Sequence, residues 1–187
     1  MPRSTVDAEI TALVEGMKLY FPAYAGHRYL LSVFEALVTM QEPPLATFTE
    51  SSESYRFVWL RSWDAPVCVR ISRDGSEGSI ATKVLEKYEG PTYGPLTHSS
   101  ERHLTKDEMS HLAEMLDAAS FWSAPAERDW VTLDGAGWML EGLRGGRHHI
   151  VKRNSPAKDG EDADFRFLCE ELLRLSELPP EVAVPIY

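Results

Sequence analysis

Between Tyr55 and Val84, three runs of alternating residues are separated only by short turn-forming stretches, and this limits the possible folds more than any other feature of the chain. Tyr55-Arg-Phe-Val-Trp-Leu-Arg-Ser-Trp63 puts Phe57 and Trp59 on one face and Val58 and Leu60 on the other, because successive side chains of a strand point to opposite sides. Apolar residues on both faces predict a strand covered, at least in part, on both sides. Asp64-Ala65-Pro66 supplies a turn, after which Val67, Val69 and Ile71 alternate with Cys68 and Arg70. The stretch from Arg73 to Gly78 turns the chain again, and Ile80, Thr82 and Val84 alternate in the third run. Connections this short join antiparallel neighbours, so the three runs predict a meander. Leu96 to Leu104 is more polar and predicts a fourth strand, at an edge.

A second hairpin is expected further on. Trp138 to Arg144 and Arg147 to Arg153 flank Gly145-Gly146, the residues that a two-residue primed turn needs for positive φ. In that register Leu140 faces Val151, Gly142 faces His149 and Glu141 faces Ile150. Glu141 then shares a face with His148 and Lys152.

Helices frame these strands. Ser4 can cap a first helix with Asp7 in its first turn, and Val6, Ile10, Leu13, Met17 and Tyr20 follow a helical period. A second helix is predicted over 27–41, striped by Leu30, Val33, Phe34 and Leu37 and stopped by Pro43-Pro44. Thr47 to Ser54 reads as a linker. Thr105-Lys-Asp-Glu108 is a capping box that opens a helix striped by Met109, Leu112, Leu116 and Ala119. Phe121-Trp122 follows as a core plug. Phe165, Leu168, Leu172 and Leu175 define a C-terminal helix ended by Pro179-Pro180. The expectation is one α+β domain over 1–187, with a helical segment over 1–48 and a core over 55–178. Its antiparallel sheet, a meander plus a second hairpin, would pack with two N-terminal helices, one central helix and one C-terminal helix. Two short helices bury little surface alone, so the N-terminal pair is expected to pack on the sheet.

Composition narrows the function. The formal charge is −10, from 29 acidic and 19 basic side chains, and this argues against nucleic-acid binding, which leaves a basic footprint. It suits either simple solubility or a basic protein partner. No apolar run approaches the ~20 residues of a membrane span, and the N-terminus lacks a basic region followed by an apolar stretch, so neither membrane insertion nor a signal peptide is expected. Cys68 and Cys169 are expected to be free, buried thiols, which fits a reducing, cytoplasmic compartment.

Chemistry-bearing motifs are sparse. His98 and His103, five apart in a strand, would face opposite ways, as would adjacent His148 and His149. His111 lies off its helix's apolar stripe and is expected to face solvent. No CxxC, HExxH, G-x-S-x-G or phosphate-binding glycine loop is present, so no catalytic residue, metal ligand or cofactor is assigned. Glu141, mid-strand, needs a partner if buried, and Glu141, His148 and Lys152 form a candidate buried polar cluster. Two readings apply to it: a structural ion pair, or an acid/base group. Trp63 and Trp130 each sit beside acidic and turn residues. With Asp64, Asp129 and Asp134 they form a candidate partner-binding set, since exposed tryptophan is a frequent hot-spot residue.

Leu133-Asp-Gly-Ala-Gly-Trp-Met-Leu-Glu-Gly142 and His148-His-Ile-Val-Lys-Arg-Asn-Ser-Pro156 together resemble a family of small bacterial α+β proteins. Its members pair a Trp-x-Leu-Glu-Gly strand with a His-x-Val-x-Arg strand before a leucine-rich terminal helix, and the Phe121-Trp122 pair after a capped helix fits the same pattern. The resemblance covers about residues 55–178, leaves 1–48 outside, and implies no established activity. The leading expectation is a non-enzymatic, immunity-protein-like role, in which an acidic inhibitor neutralises a basic bacterial toxin. The alternatives are a small-molecule binding module with an aromatic-lined pocket between helices and sheet, and a hydrolase whose site joins Glu141 and His149 across a bulge.

Overall fold

The computed structural model describes residues 3–24, 30–48, 53–75, 77–87, 93–128, 135–183 and 186. Six strands, β1 (Glu53–Arg61), β2 (Val67–Asp74), β3 (Glu77–Leu85), β4 (Leu96–Leu104), β5 (Ala136–Arg144) and β6 (Arg147–Asn154), form one antiparallel sheet in the order β4-β3-β2-β1-β5-β6. The meander supplies four neighbouring strands, and the Gly145-Gly146 hairpin docks on the far side of β1. The fold is α+β with an antiparallel sheet. The hairpin register pairs Leu140 with Val151, Glu141 with Ile150 and Gly142 with His149. Gly145 and Gly146 both have positive φ, +56° and +74°.

β1 has strands on both sides, and both of its faces are covered. On one face Tyr55, Phe57, Trp59, Val69, Ile71, Ile80, Trp138, Leu140 and Val151 form the larger core with Leu112, Met115 and Leu116 of α3 (Lys106–Ala118) and Phe165, Leu168, Cys169 and Leu172 of α4 (Ala163–Leu175). On the other face Val58, Cys68, Leu85, Met139 and Ile150 meet Met17 of α1 (Arg3–Tyr20), Val33, Ala36 and Leu37 of α2 (Leu31–Thr39), and Phe21, Leu30 and Met40. The N-terminal helices therefore do pack on the sheet.

Two glycines position the α3 layer. A Cβ on Gly78 would stand 2.6 Å from Met109 Sδ, and one on Gly142 would stand 2.6 Å from Phe121 Cε1. Phe121 is buried and Trp122 partly so. The Thr105–Glu108 capping box forms with both reciprocal bonds. The Arg102 guanidinium against Glu108, helped by the Thr105 backbone N–H, holds that carboxyl down at about 2.

Three helix boundaries differ from the sequence expectation. Ser4 lies inside α1 rather than capping it, and Asp7 falls beyond the first turn. α2 and α4 end before their proline pairs, at left-handed Gln41 (φ +54°) and Glu177 (φ +53°). The left-handed residue reverses the chain, and Pro180 instead begins a short helix, α5 (Pro180–Ala183), where its missing N–H costs nothing. The start expected for the second helix, at 27–29, lies outside the described residues, as do the side chains of Val6 and Ile10. Linker residues 49–52 lie outside them too.

Candidate functional site

Glu141 is fully buried on the sheet face that carries the N-terminal helices. Its partner comes from the neighbouring strand. Arg56, directly opposite on β1 and also fully buried, donates from Nε to Glu141 Oε2 at 3.0 Å, with Nη2 on the same oxygen. His148 Nε2 lies 2.7 Å from the other carboxylate oxygen. Lys152, expected in this cluster, lies on the same face but reaches Glu127 instead, at 3.7 Å, and burial lowers its pKa. The cluster is therefore Arg56–Glu141–His148. Tyr24 packs edge-on against His148, with ring centroids 6.3 Å apart, and His148 Nδ1 is buried with no partner among the described residues.

Arg56 escaped sequence reasoning because 85 residues separate it from Glu141. One signal could have found it. Arg56 and Glu141 are each a charge in the middle of a strand, set between apolar or small neighbours, and two such charges must meet or remain unpaired.

A second set of polar groups adjoins this one. Glu42, buried after α2, takes Arg70 Nε at 2.9 Å and Lys83 Nζ at 3.0 Å. Lys83 also donates to the carbonyls of Met40 and Gln41, and Arg56 Nη1 donates to that of Pro43 at 2.6 Å. The Tyr20 hydroxyl donates to the Glu42 carbonyl. Both sets fasten the helical layer to the sheet, and every charged group in them is engaged.

His149 lies on the opposite face, against Phe121 and Trp122, with Nε2 3.1 Å from the Ala124 carbonyl. Burial pushes its imidazole below the ordinary histidine value. β5 and β6 pair without a register shift, so no bulge brings His149 round to Glu141, and the carboxylate–imidazole pair is with His148. His98 and His103 both lie on the edge strand β4, and His98 Nε2 contacts Ser100 Oγ at 3.2 Å. His111 is part-exposed near Glu171, at 3.8 Å. No group of three His, Cys, Asp or Glu among the described residues could hold a metal. Both cysteines are free and buried, and burial raises both thiols.

Trp63 is 63% exposed. It lies in the β1–β2 connection beside part-exposed Asp64, and the Ser62 N–H just before it donates to the Gly135 carbonyl at 3.0 Å. Asp129, Trp130 and Asp134 lie outside the described residues. Gly135, next after Asp134, is thus held against the Trp63 connection. Trp59 and Trp138 are core residues.

Two adjoining clefts of about 300 and 360 Å³ share Arg128, Arg153, Glu161 and Asp162. Asp162 Oδ1 accepts from Arg153 Nε at 2.7 Å and from Arg128 Nη1 at 3.1 Å. Among the described residues, Phe165 is the one aromatic side chain lining these clefts. No helix of the described chain is long and apolar enough to cross a membrane. No protein-family model matches the chain, and no curated protein matches it.

Proposed function

We propose that this protein acts by binding another protein, as an acidic, non-enzymatic inhibitor of a basic toxin, in the manner of small bacterial immunity proteins. The observation that carries the reading is Trp63, a large indole 63% exposed beside Asp64 on a chain of net charge −10. Exposed tryptophan is among the residues most enriched at binding hot spots, and a strong negative field raises the encounter rate with a basic partner. The geometry of Glu141 adds support. Its two oxygens are taken by Arg56 and His148 in a seam between layers, which suits structural fastening better than acid/base chemistry. The resemblance of the Trp138–Gly142 and His149–Arg153 strands to small bacterial proteins fits the same reading, which sets the protein in the cytoplasm.

Affinity capture from the native host, with wild type and Trp63→Ala side by side, tests the proposal. It predicts one dominant basic protein captured by wild type and lost with the variant. That protein should be toxic when expressed alone and harmless when this chain is co-expressed. Equal recovery by both baits, or a captured protein whose toxicity the chain does not relieve, would overturn the reading.

A further inference from the structure

The described hydrogen bonds from sheet side chains to the N-terminal helical layer converge on one turn, residues 40–43. Arg56 reaches the Pro43 carbonyl, Lys83 those of Met40 and Gln41, and Arg70 and Lys83 share the Glu42 carboxylate. Outside that turn, the described contacts between layer and sheet are apolar ones with Val58, Cys68, Leu85, Met139 and Ile150, the Tyr20 ring 5.8 Å from the Arg56 guanidinium, and the Tyr24 ring edge-on to His148. Desolvation offsets much of the Coulomb attraction in buried ion pairs, so they return little net stability, and water would receive these charges once the layer lifts. The strand ladders run within the sheet and the larger core lies on its far face, so both keep their own hydrogen bonds and contacts when it does. A part of a structure held this way opens at lower cost than the whole.

We propose that α1, α2 and the 40–43 turn lift from the sheet as one unit, with Glu42 as the latch. Two cysteines report on the motion from opposite faces. Cys68 lies under the layer, directly across from Lys83 and two residues from Arg70, while Cys169 is buried on α4 in the other core. In the lifted state Cys68 meets solvent beside cations, which favour the reactive thiolate. Cys169 stays covered.

Full-length protein treated with an excess thiol reagent under native conditions, with each cysteine followed by peptide mass spectrometry, tests the proposal. Cys68 should label roughly tenfold or more faster than Cys169, and with the weaker urea dependence, since partial opening exposes less surface. Glu42→Gln, which weakens the closed state, should speed Cys68 by a further factor on the order of ten and keep its weaker urea dependence. Lys83→Met should act in the same direction. Equal rates with equal urea dependence in the wild type would mean that only global unfolding exposes Cys68, and would overturn the proposal. So would a Glu42→Gln variant that leaves the Cys68 rate unchanged. The wild-type comparison decides the matter even if a variant does not fold.

Discussion

At Gly142 an added Cβ would stand 2.6 Å from Phe121 Cε1 and 3.1 Å from Tyr55 Cδ1. Both rings are buried, with centroids 6.0 Å apart, so neither can yield cheaply. Overpacking of this kind costs about 1–3 kcal/mol. Gly142→Ala should lower stability by that amount in urea unfolding, and should cost much less in a Phe121→Leu background, where the ring is gone. A full cost persisting in that background would show that the glycine serves another purpose. The same packing explains why a glycine follows Glu141 in the Trp138–Gly142 strand. Trp138 and Leu140 fill the core, Glu141 faces the other layer, and Gly142 leaves room for Phe121. Glu108 gives a second test on one residue. Its carboxyl, held at about 2 in the fold against an ordinary 4.5, contributes stability that is present above 4.5 and lost as pH falls toward 2. Titration of its carboxyl carbon by NMR should show a midpoint near 2 in the wild type and a higher one in Arg102→Ala. An ordinary midpoint in the wild type would contradict the Arg102 contact.

Among the elements, those fixed by local chemistry were legible in the sequence. The Thr105–Glu108 box needs residues three apart, and Gly145-Gly146 sets the register of β5 on β6, which in turn separates His148 from His149. The meander followed from short turns between alternating runs. Long-range pairing was not legible. No local rule says that the hairpin docks on β1, and without that neighbour Lys152 looked like the partner of Glu141 because it shares a strand face with it. The helix ends were misplaced for a related reason. Proline pairs are conspicuous, but the left-handed Gln41 and Glu177 that end α2 and α4 carry no glycine to mark them. The β1–β5 pairing can be tested through its buried charges. Glu141→Leu leaves the Arg56 guanidinium buried without its carboxylate and should cost about 3–5 kcal/mol. The double variant Arg56→Met/Glu141→Leu removes both charges and should regain most of that loss in denaturant unfolding. Equal loss in the single and double variants would argue against a direct pair.

For the molecule as a whole, the sheet is a divider with a layer of helices on each face. α3 and α4 complete the larger core, and the N-terminal helices cover a face where charge and apolar surface mix. Much of the titratable chemistry sits in that seam, holding layers together. The chain carries a net charge of −10, and its outer surface presents the exposed indole of Trp63. The candidate partner-binding set was legible in the sequence only as tryptophans beside acids. Exposure of Trp63, and the Ser62–Gly135 bond that fixes its connection, required the fold. The proposed recognition of a basic protein by this surface can be read from the dissociation constant for the captured partner, measured for wild type and Trp63→Ala at low and high salt. Trp63→Ala should cost about 2 kcal/mol or more of binding, and wild-type binding should weaken as salt rises. Unchanged affinity in the variant together with salt-insensitive binding would contradict it.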